Sequence, residues 1–132
     1  MLQLYPLQSN RSQAAGGGLA GWRVKRVAAF VEANIGSRIR VGDLARLVLL
    51  STSHFCRAFK QTFGETPRRY VTRQRMRRAQ DMMLCSRDSL VKIAVECGMC
   101  DQAHFSRVFR KVVGVNPGAW RSSVRASATS TC

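Results

Sequence analysis

The chain is poor in acid. Its 132 residues hold seven Asp and Glu against 22 Lys and Arg, a formal net charge of +15 at pH 7. That excess cannot be neutralised internally, so it predicts a polyanionic partner, either nucleic acid or an acidic membrane surface. Long apolar runs are missing as well: no stretch approaches the about 18 residues of a membrane span. The start, Met1 to Asn10, lacks the basic cluster and apolar run of a secretory signal. The five cysteines (Cys56, Cys85, Cys97, Cys100, Cys132) are odd in number and form no regular framework, which predicts free thiols in a reducing cytoplasm. No period-two pattern competes for a strand. No paired carboxylates, nucleophile–base pair or Gly-rich phosphate loop appear, so neither an enzyme nor a bound cofactor is expected.

What is present is apolar patterning at helical spacing. Hydrophobic residues make up 45%, enough at this length to bury a core without disulfides. Residues 1–18, with the run Ala14 to Gly18, read as a flexible lead-in. Residues 123–132 are small and polar and read as a flexible tail, leaving one domain over 19–122. Trp22, Val27, Phe30, Val31 and Ile35 predict a first helix over about 20–34, ended by Asn34, Gly36 and Ser37. Asp43 to Val48 predict a short second helix. Ser51 caps a third with Phe55, Ala58, Phe59 and Phe63, closed by Gly64. Thr66 and Pro67 open a long fourth helix over about 67–85, one face of which carries Arg68, Arg69, Arg73, Arg77 and Arg78. A fifth helix holds Leu90, Ile93, Ala94 and Cys97 and ends at Gly98. A sixth, about 102–113, holds Phe105 and Phe109 and stops at Gly114. Asn116 and Pro117 open a last short helix bearing Trp120. The expected fold is all-α, with about seven helices.

An internal repeat organises these elements. His54-Phe55-Cys56-Arg57-Ala58-Phe59-Lys60 recurs fifty residues later as His104-Phe105-Ser106-Arg107-Val108-Phe109-Arg110. Gly64, Pro67 and Tyr70 recur at the same offset as Gly114, Pro117 and Trp120, and Leu44-Ala45 recurs at forty-nine as Ile93-Ala94. In each copy a short helix packs its apolar pair on two Phe residues four apart on one face of a longer helix. Arg57 and Arg107 fall between those Phe residues and so project from the opposite side. A short helix bracing a second helix with an outward Arg is a helix-turn-helix. The two copies cover about 41–64 and 90–114, joined by the long helix.

These residues resemble the AraC/XylS family of bacterial transcription regulators. The resemblance runs from Trp22 to Arg121. Its most specific part is Ile93-Ala94-x3-Gly98-Met99-x-Asp101-x3-Phe105-Ser106-Arg107-x-Phe109-Arg110-x3-Gly114-x2-Pro117-x2-Trp120-Arg121. The linker helix fits through Arg75-Met76-x2-Ala79-x4-Leu84. It implies two helix-turn-helix subdomains that each place a reading helix in a major groove of double-stranded DNA, about one helical turn apart. It also implies contact with RNA polymerase and a nucleoid-associated place in the bacterial cytoplasm. Two unlike heads predict a monomer reading an asymmetric site. Larger members carry an effector domain upstream, so the chain resembles a small stand-alone member or a truncated one. No small-molecule effector site and no membrane role are expected. Leu49 stands in the first turn where the family has Gly or a small residue, Met99 replaces the usual Phe, and Trp120 replaces Tyr. A γ-branched side chain fits a left-handed turn poorly, so the first subdomain is expected to be strained or differently shaped.

Early positions of a recognition helix reach base edges. The candidates are Thr52, Ser53, Cys56 and Arg57 in the first head, and Gln102, Ala103, Ser106 and Arg107 in the second. An Arg can fork onto guanine O6 and N7, and Gln onto adenine N6 and N7. Lys60, Thr66, Arg68, Arg110 and Arg121 are candidate phosphate contacts, aided by the free N–H groups at the start of the fourth helix. His54 and His104 occupy equivalent places in separate subdomains and cannot converge on one metal ion, so a packing or phosphate role is expected. Cys97-Gly98-Met99-Cys100 has redox or zinc spacing, but only His104 stands nearby as a further ligand. Non-specific DNA coating, a protein-interaction module and redox sensing remain as alternatives.

Overall fold

The computed structural model describes residues 18–127. Among them are seven helices and no strand: α1 (Gly21–Ala33), α2 (Val41–Leu47), α3 (Thr52–Phe63), α4 (Pro67–Cys85), α5 (Leu90–Glu96), α6 (Gln102–Val113) and α7 (Pro117–Ser127). The expected all-α architecture is therefore found. The chain forms two compact units. The first holds Ile39–Val71 with the chain up to Asn34; the second holds Ile35–Arg38 with the chain from Thr72 onward.

The helix ends follow local chemistry. Ser51 Oγ accepts the His54 N–H at 3.2 Å and Asp101 Oδ1 accepts the His104 N–H at 2.8 Å, so each longer helix of the repeat has a side-chain cap at its start. Each ends on a glycine in the left-handed region, Gly64 at φ 78° and Gly114 at φ 106°. Thr66 Oγ1 accepts the Arg69 N–H and Asn116 Oδ1 the Ala119 N–H, placing a cap immediately before each helix-opening proline.

In the first unit Phe55, Ala58 and Phe59 of α3 are buried with Leu44, Ala45 and Val48 of the α2 segment and Val27 and Val31 of α1. Burial of each large apolar side chain contributes roughly 1.5–3 kcal/mol. Phe63 stacks on Phe59 with ring centroids 4.1 Å apart, and Tyr70 meets both rings edge-on. The buried Thr62 hydroxyl accepts the Leu19 N–H at 2.7 Å, and Arg23 Nε donates to the Val48 carbonyl at 2.9 Å. The second unit repeats the plan. Met76, Ala79 and Met83 of α4 pack with Ile93, Ala94, Cys97, Met99, Phe105 and Phe109, and Trp120 lies edge-on to Phe109 at 5.9 Å.

The two turns close on equivalent hydrogen bonds. Leu50 N–H donates to Ala45 O at 3.0 Å, and Met99 N–H donates to Ala94 O at 2.9 Å. The residue that reverses the chain is Leu49 at φ 63° in one and Gly98 at φ 83° in the other. The first turn is thus strained, as expected, but not differently shaped. Its leucine adopts the left-handed conformation with the side chain 77% exposed, which requires no repacking.

Two further expectations change. The last helix continues through Ser127, past the expected end of the domain at residue 122; nothing in Ser122 to Ser127 breaks it, since there is no Gly or Pro. The thiols of Cys56, Cys97 and Cys100 are free, but Cys85, exposed at the end of α4 and so open to pairing, is disulfide-bonded. The expected lead-in lies outside the described residues except for Gly18, and so does the tail beyond Ser127.

Candidate nucleic-acid interface

Burying Phe55 and Phe59 turns the other face of α3 outward. Thr52, Ser53, His54, Arg57, Lys60 and Gln61 are exposed there, and Cys56 is half-buried. They border the start of α4, because the turn at Gly64 folds that helix back against the aromatic cluster. His54, Cys56, Arg57, Lys60, Gln61, Thr66 and Pro67 together line an open hollow of about 850 Å³. The structure thus brings two candidate base readers, Cys56 and Arg57, beside two candidate phosphate contacts, Lys60 and Thr66. Arg68, on the first turn of α4, is exposed. The cations Arg57 and Lys60, with the N-terminal end of a 19-residue helix, make this hollow attractive to an anion.

The second head presents the equivalent face. Gln102, Ala103, Arg107, Arg110 and Lys111 are exposed on α6, and Ser106 is half-buried. Phe105 and Phe109 are fully buried behind them. His104 is half-buried, and its Nδ1 is buried with no hydrogen-bond partner, whereas His54 is exposed. The two histidines lie in different units, and among the described residues no group of His, Cys, Asp or Glu is arranged to hold a metal ion.

Arg121 lies elsewhere. Its guanidinium donates from Nε to Met83 O at 3.3 Å, from Nη1 to Asp88 O at 2.7 Å and from Nη2 to Ser86 O at 2.8 Å. The fork closes the C-terminal end of α4 and the loop after it, where carbonyls have no partner within the helix. Desolvation holds its pKa below the usual arginine value, with Arg125 adding to the effect. Of the five expected phosphate contacts, it is the one whose donors are already taken within the fold. Sequence position could not reveal this, because the acceptors are backbone groups 33 to 38 residues away.

The Cys97–Cys100 spacing does not form a paired site. Cys97 is fully buried and Cys100 exposed. Burial pushes the Cys97 thiol up to about 11, with Arg78 opposing, the reverse of the shift that activates a redox thiol. No helix among the described residues is long and apolar enough to cross a membrane.

Residues 44–123 match the model of a family described as a helix-turn-helix domain. The chain is 33% identical over 105 residues to the HTH-type transcriptional activator RhaS of Escherichia fergusonii, covering 80% of this chain and 38% of that protein. Among solved structures it is similar to an AraC-type DNA-binding domain regulator from Chromobacterium violaceum, with TM-score 0.75, 27% identity, and 80% and 95% of the two chains covered. The chain belongs to the AraC-type helix-turn-helix family. It is similar also to the DNA-binding domain of the global transcriptional factor AdpA, solved in complex with a target DNA, with TM-score 0.76, 27% identity, and 83% and 97% of the chains covered. The AraC-type chain spans well under half the length of the curated relatives it matches.

Two features of this AraC-type fold carry only a weak signal in the sequence. Asp101 was visible only as part of a motif, although it stands fifty residues after the Ser51 cap and caps the same place. Arg75 and Arg125 were not assigned any task. Their signal is again the fifty-residue offset, carried past the helix-turn-helix into the helix that follows.

Proposed function

We propose that this chain is a sequence-specific reader of double-stranded DNA that regulates transcription, binding as a monomer through two adjacent major grooves. The observation that carries the reading is the duplicated, outward, basic face of α3 and α6, each held by two buried Phe residues. Arg57 and Arg107 are assigned to guanine edges and Gln102 to adenine. Thr52, Ser53, Cys56, Ala103 and Ser106 are assigned to shorter-range base contacts. Lys60, Thr66, Arg68 and Arg110 are assigned to phosphates. Arg121 is assigned to the fold instead, because its donors are taken. The likeness to a domain solved on its target DNA supports the mode of binding. The net charge of +15 supports the affinity. A promoter-bound regulator of this kind also meets RNA polymerase and works in the bacterial cytoplasm, at the nucleoid.

The heads differ at their reading positions, Ser53 against Ala103 and Cys56 against Ser106, so the site is asymmetric. Selection of bound duplexes from a random pool, at about 150 mM salt with excess competitor, tests this. The expected result is two unlike patches about 10 bp apart. Arg107→Ala relaxes base preference in one patch only, while Arg110→Ala weakens all sequences alike and lowers the salt slope by about one. If no motif emerges and binding disappears as salt rises, the chain is a non-specific DNA coater.

A further inference from the structure

Two arginines outside the reading helices occupy equivalent places in the repeat, and each donates to two backbone carbonyls about forty residues earlier, one of them at an equivalent serine. Arg75 lies eight residues past Pro67, and Arg125 eight past Pro117. Arg75 donates from Nε to Ile35 O at 3.2 Å and from Nη2 to Ser37 O at 2.6 Å. Arg125 Nη2 donates to Met83 O at 3.1 Å and to Ser86 O at 2.7 Å. Ser37 stands four residues before the start of α2, and Ser86 four before the start of α5. Each arginine therefore ties the helix that follows a helix-turn-helix to the loop that precedes it. The repeat is larger than the reading motif: loop, short helix, turn, long helix, clamped closing helix.

The loops differ in what else they touch. A Cβ at Gly98 would lie 2.9 Å from Ile35 O and 3.0 Å from Cζ and Nε of Arg75. A Cβ at Gly36 would lie 2.8 Å from the Glu96 carbonyl oxygen. Ile35 itself is buried. Segment 35–38, which in sequence joins α1 to α2, is thus seated in the second unit against the end of α5 and its turn, with two glycines making room and Arg75 holding two of its carbonyls. Along the chain, residues of the first unit precede this segment at Asn34 and follow it at Ile39, and α4 supplies the remaining covalent link at Val71–Thr72.

We infer that Arg75 is a positioning residue that sets which spacing between the two base patches this chain accepts, by pinning segment 35–38 into the second unit. The inference rests on the two-groove reading above. With the segment pinned, two of the three covalent links into the first unit start from anchored backbone. Released, the segment becomes a slack loop and α4 alone constrains the first head. Moving one patch by 1 bp shifts it by about 3.4 Å and rotates it by roughly 34° about the duplex, a change a slack connection tolerates and an anchored one does not. Arg125 clamps a loop lying within the second unit, so it has no such leverage.

The test uses the full chain on duplexes carrying its selected site, with the patches at the preferred spacing and at −1, +1 and +2 bp. Wild type is expected to lose about tenfold or more in affinity at ±1 bp, as fits two heads docked in fixed grooves. Arg75→Gln reduces that penalty to below about threefold, chiefly by losing affinity at the preferred spacing. Arg75→Lys, which keeps the charge but lacks the planar fork, shows the same flattening and serves if the Gln variant fails to fold. Arg125→Gln keeps the full spacing penalty. If both Arg75 variants keep the wild-type profile, or lose affinity by one common factor at every spacing, the inference is overturned while the two-groove reading stands. A wild-type chain indifferent to spacing overturns both.

Discussion

Leu49 and Gly98 do the same job in two turns of the same geometry, yet they should respond in opposite ways to substitution. Gly98 sits at φ 83° with Ile35 O at 2.9 Å and the Arg75 guanidinium at 3.0 Å from where a Cβ would stand. An alanine there meets two costs: about 1–2 kcal/mol for the left-handed conformation, and about 1–3 kcal/mol for displacing backbone and a bonded side chain. Gly98→Ala is therefore expected to destabilise the second unit by roughly 2–5 kcal/mol. Leu49 already bears the conformational cost, and its side chain is 77% exposed. Leu49→Gly relieves about 1–2 kcal/mol of strain, offset by the ~0.4–1 kcal/mol that glycine's freedom adds to the unfolded chain. The net is a gain of roughly 0–1.6 kcal/mol from those two terms. Leu49→Ala should be neutral within about 0.5 kcal/mol, as at other exposed positions. Urea unfolding followed by far-UV circular dichroism reads all three, with the m-value checking that the unfolded state is unchanged. A Gly98→Ala protein as stable as wild type would refute the reasoning, as would a Leu49→Gly protein less stable by more than about 1 kcal/mol.

Two further outcomes follow from the arrangement of Arg121 and Cys97. Arg121→Ala removes three hydrogen bonds from a charged donor, leaving the Asp88 carbonyl without its partner while Arg125 still holds those of Met83 and Ser86, and should cost about 1.5–3 kcal/mol of stability. The salt slope of DNA binding should not change, and a slope reduced by one with unchanged stability would return Arg121 to the phosphate set. Cys97 keeps its proton in the folded state up to about 11, against 9.0 for an unperturbed thiol. The folded state therefore holds the extra proton, so this contribution is complete below pH 9 and is lost as pH rises toward 11. Urea unfolding between pH 8 and pH 10.5 should show the decline in wild type and lose most of it in Cys97→Ala. An equal decline in both would show that other groups cause it. At pH 8, thiol labelling should be fast at exposed Cys100 and blocked at Cys97 until the chain unfolds.

Much of the fold was legible because its signals are local. The Phe pairs four apart, the caps Ser51 and Thr66, the closing glycines Gly64 and Gly114 and the helix-opening prolines each act through neighbours within one turn of helix. Their repetition at a fixed offset made the pattern hard to mistake. The outward faces of α3 and α6 follow from the same arithmetic, since a residue between two buried Phe residues has to point away. The sequence also showed that Leu49 enters a turn built for a small residue, but not that this turn would keep the geometry of its glycine counterpart.

Arginine is where sequence reading ran out. Eighteen of them share one charge and one shape, and nothing in a neighbour along the chain says which is solvated, which meets phosphate and which is bonded within the fold. Arg121 was expected at a phosphate and instead caps the end of α4; Arg75 and Arg125, given no task, clamp loops about forty residues away. The chain by itself determined the helices, their caps and the two basic reading faces, because these depend on contacts within a few residues. Only the tertiary structure decided which cations remain for a partner, because their alternative partners are backbone carbonyls, which every residue carries and which packing alone brings within reach.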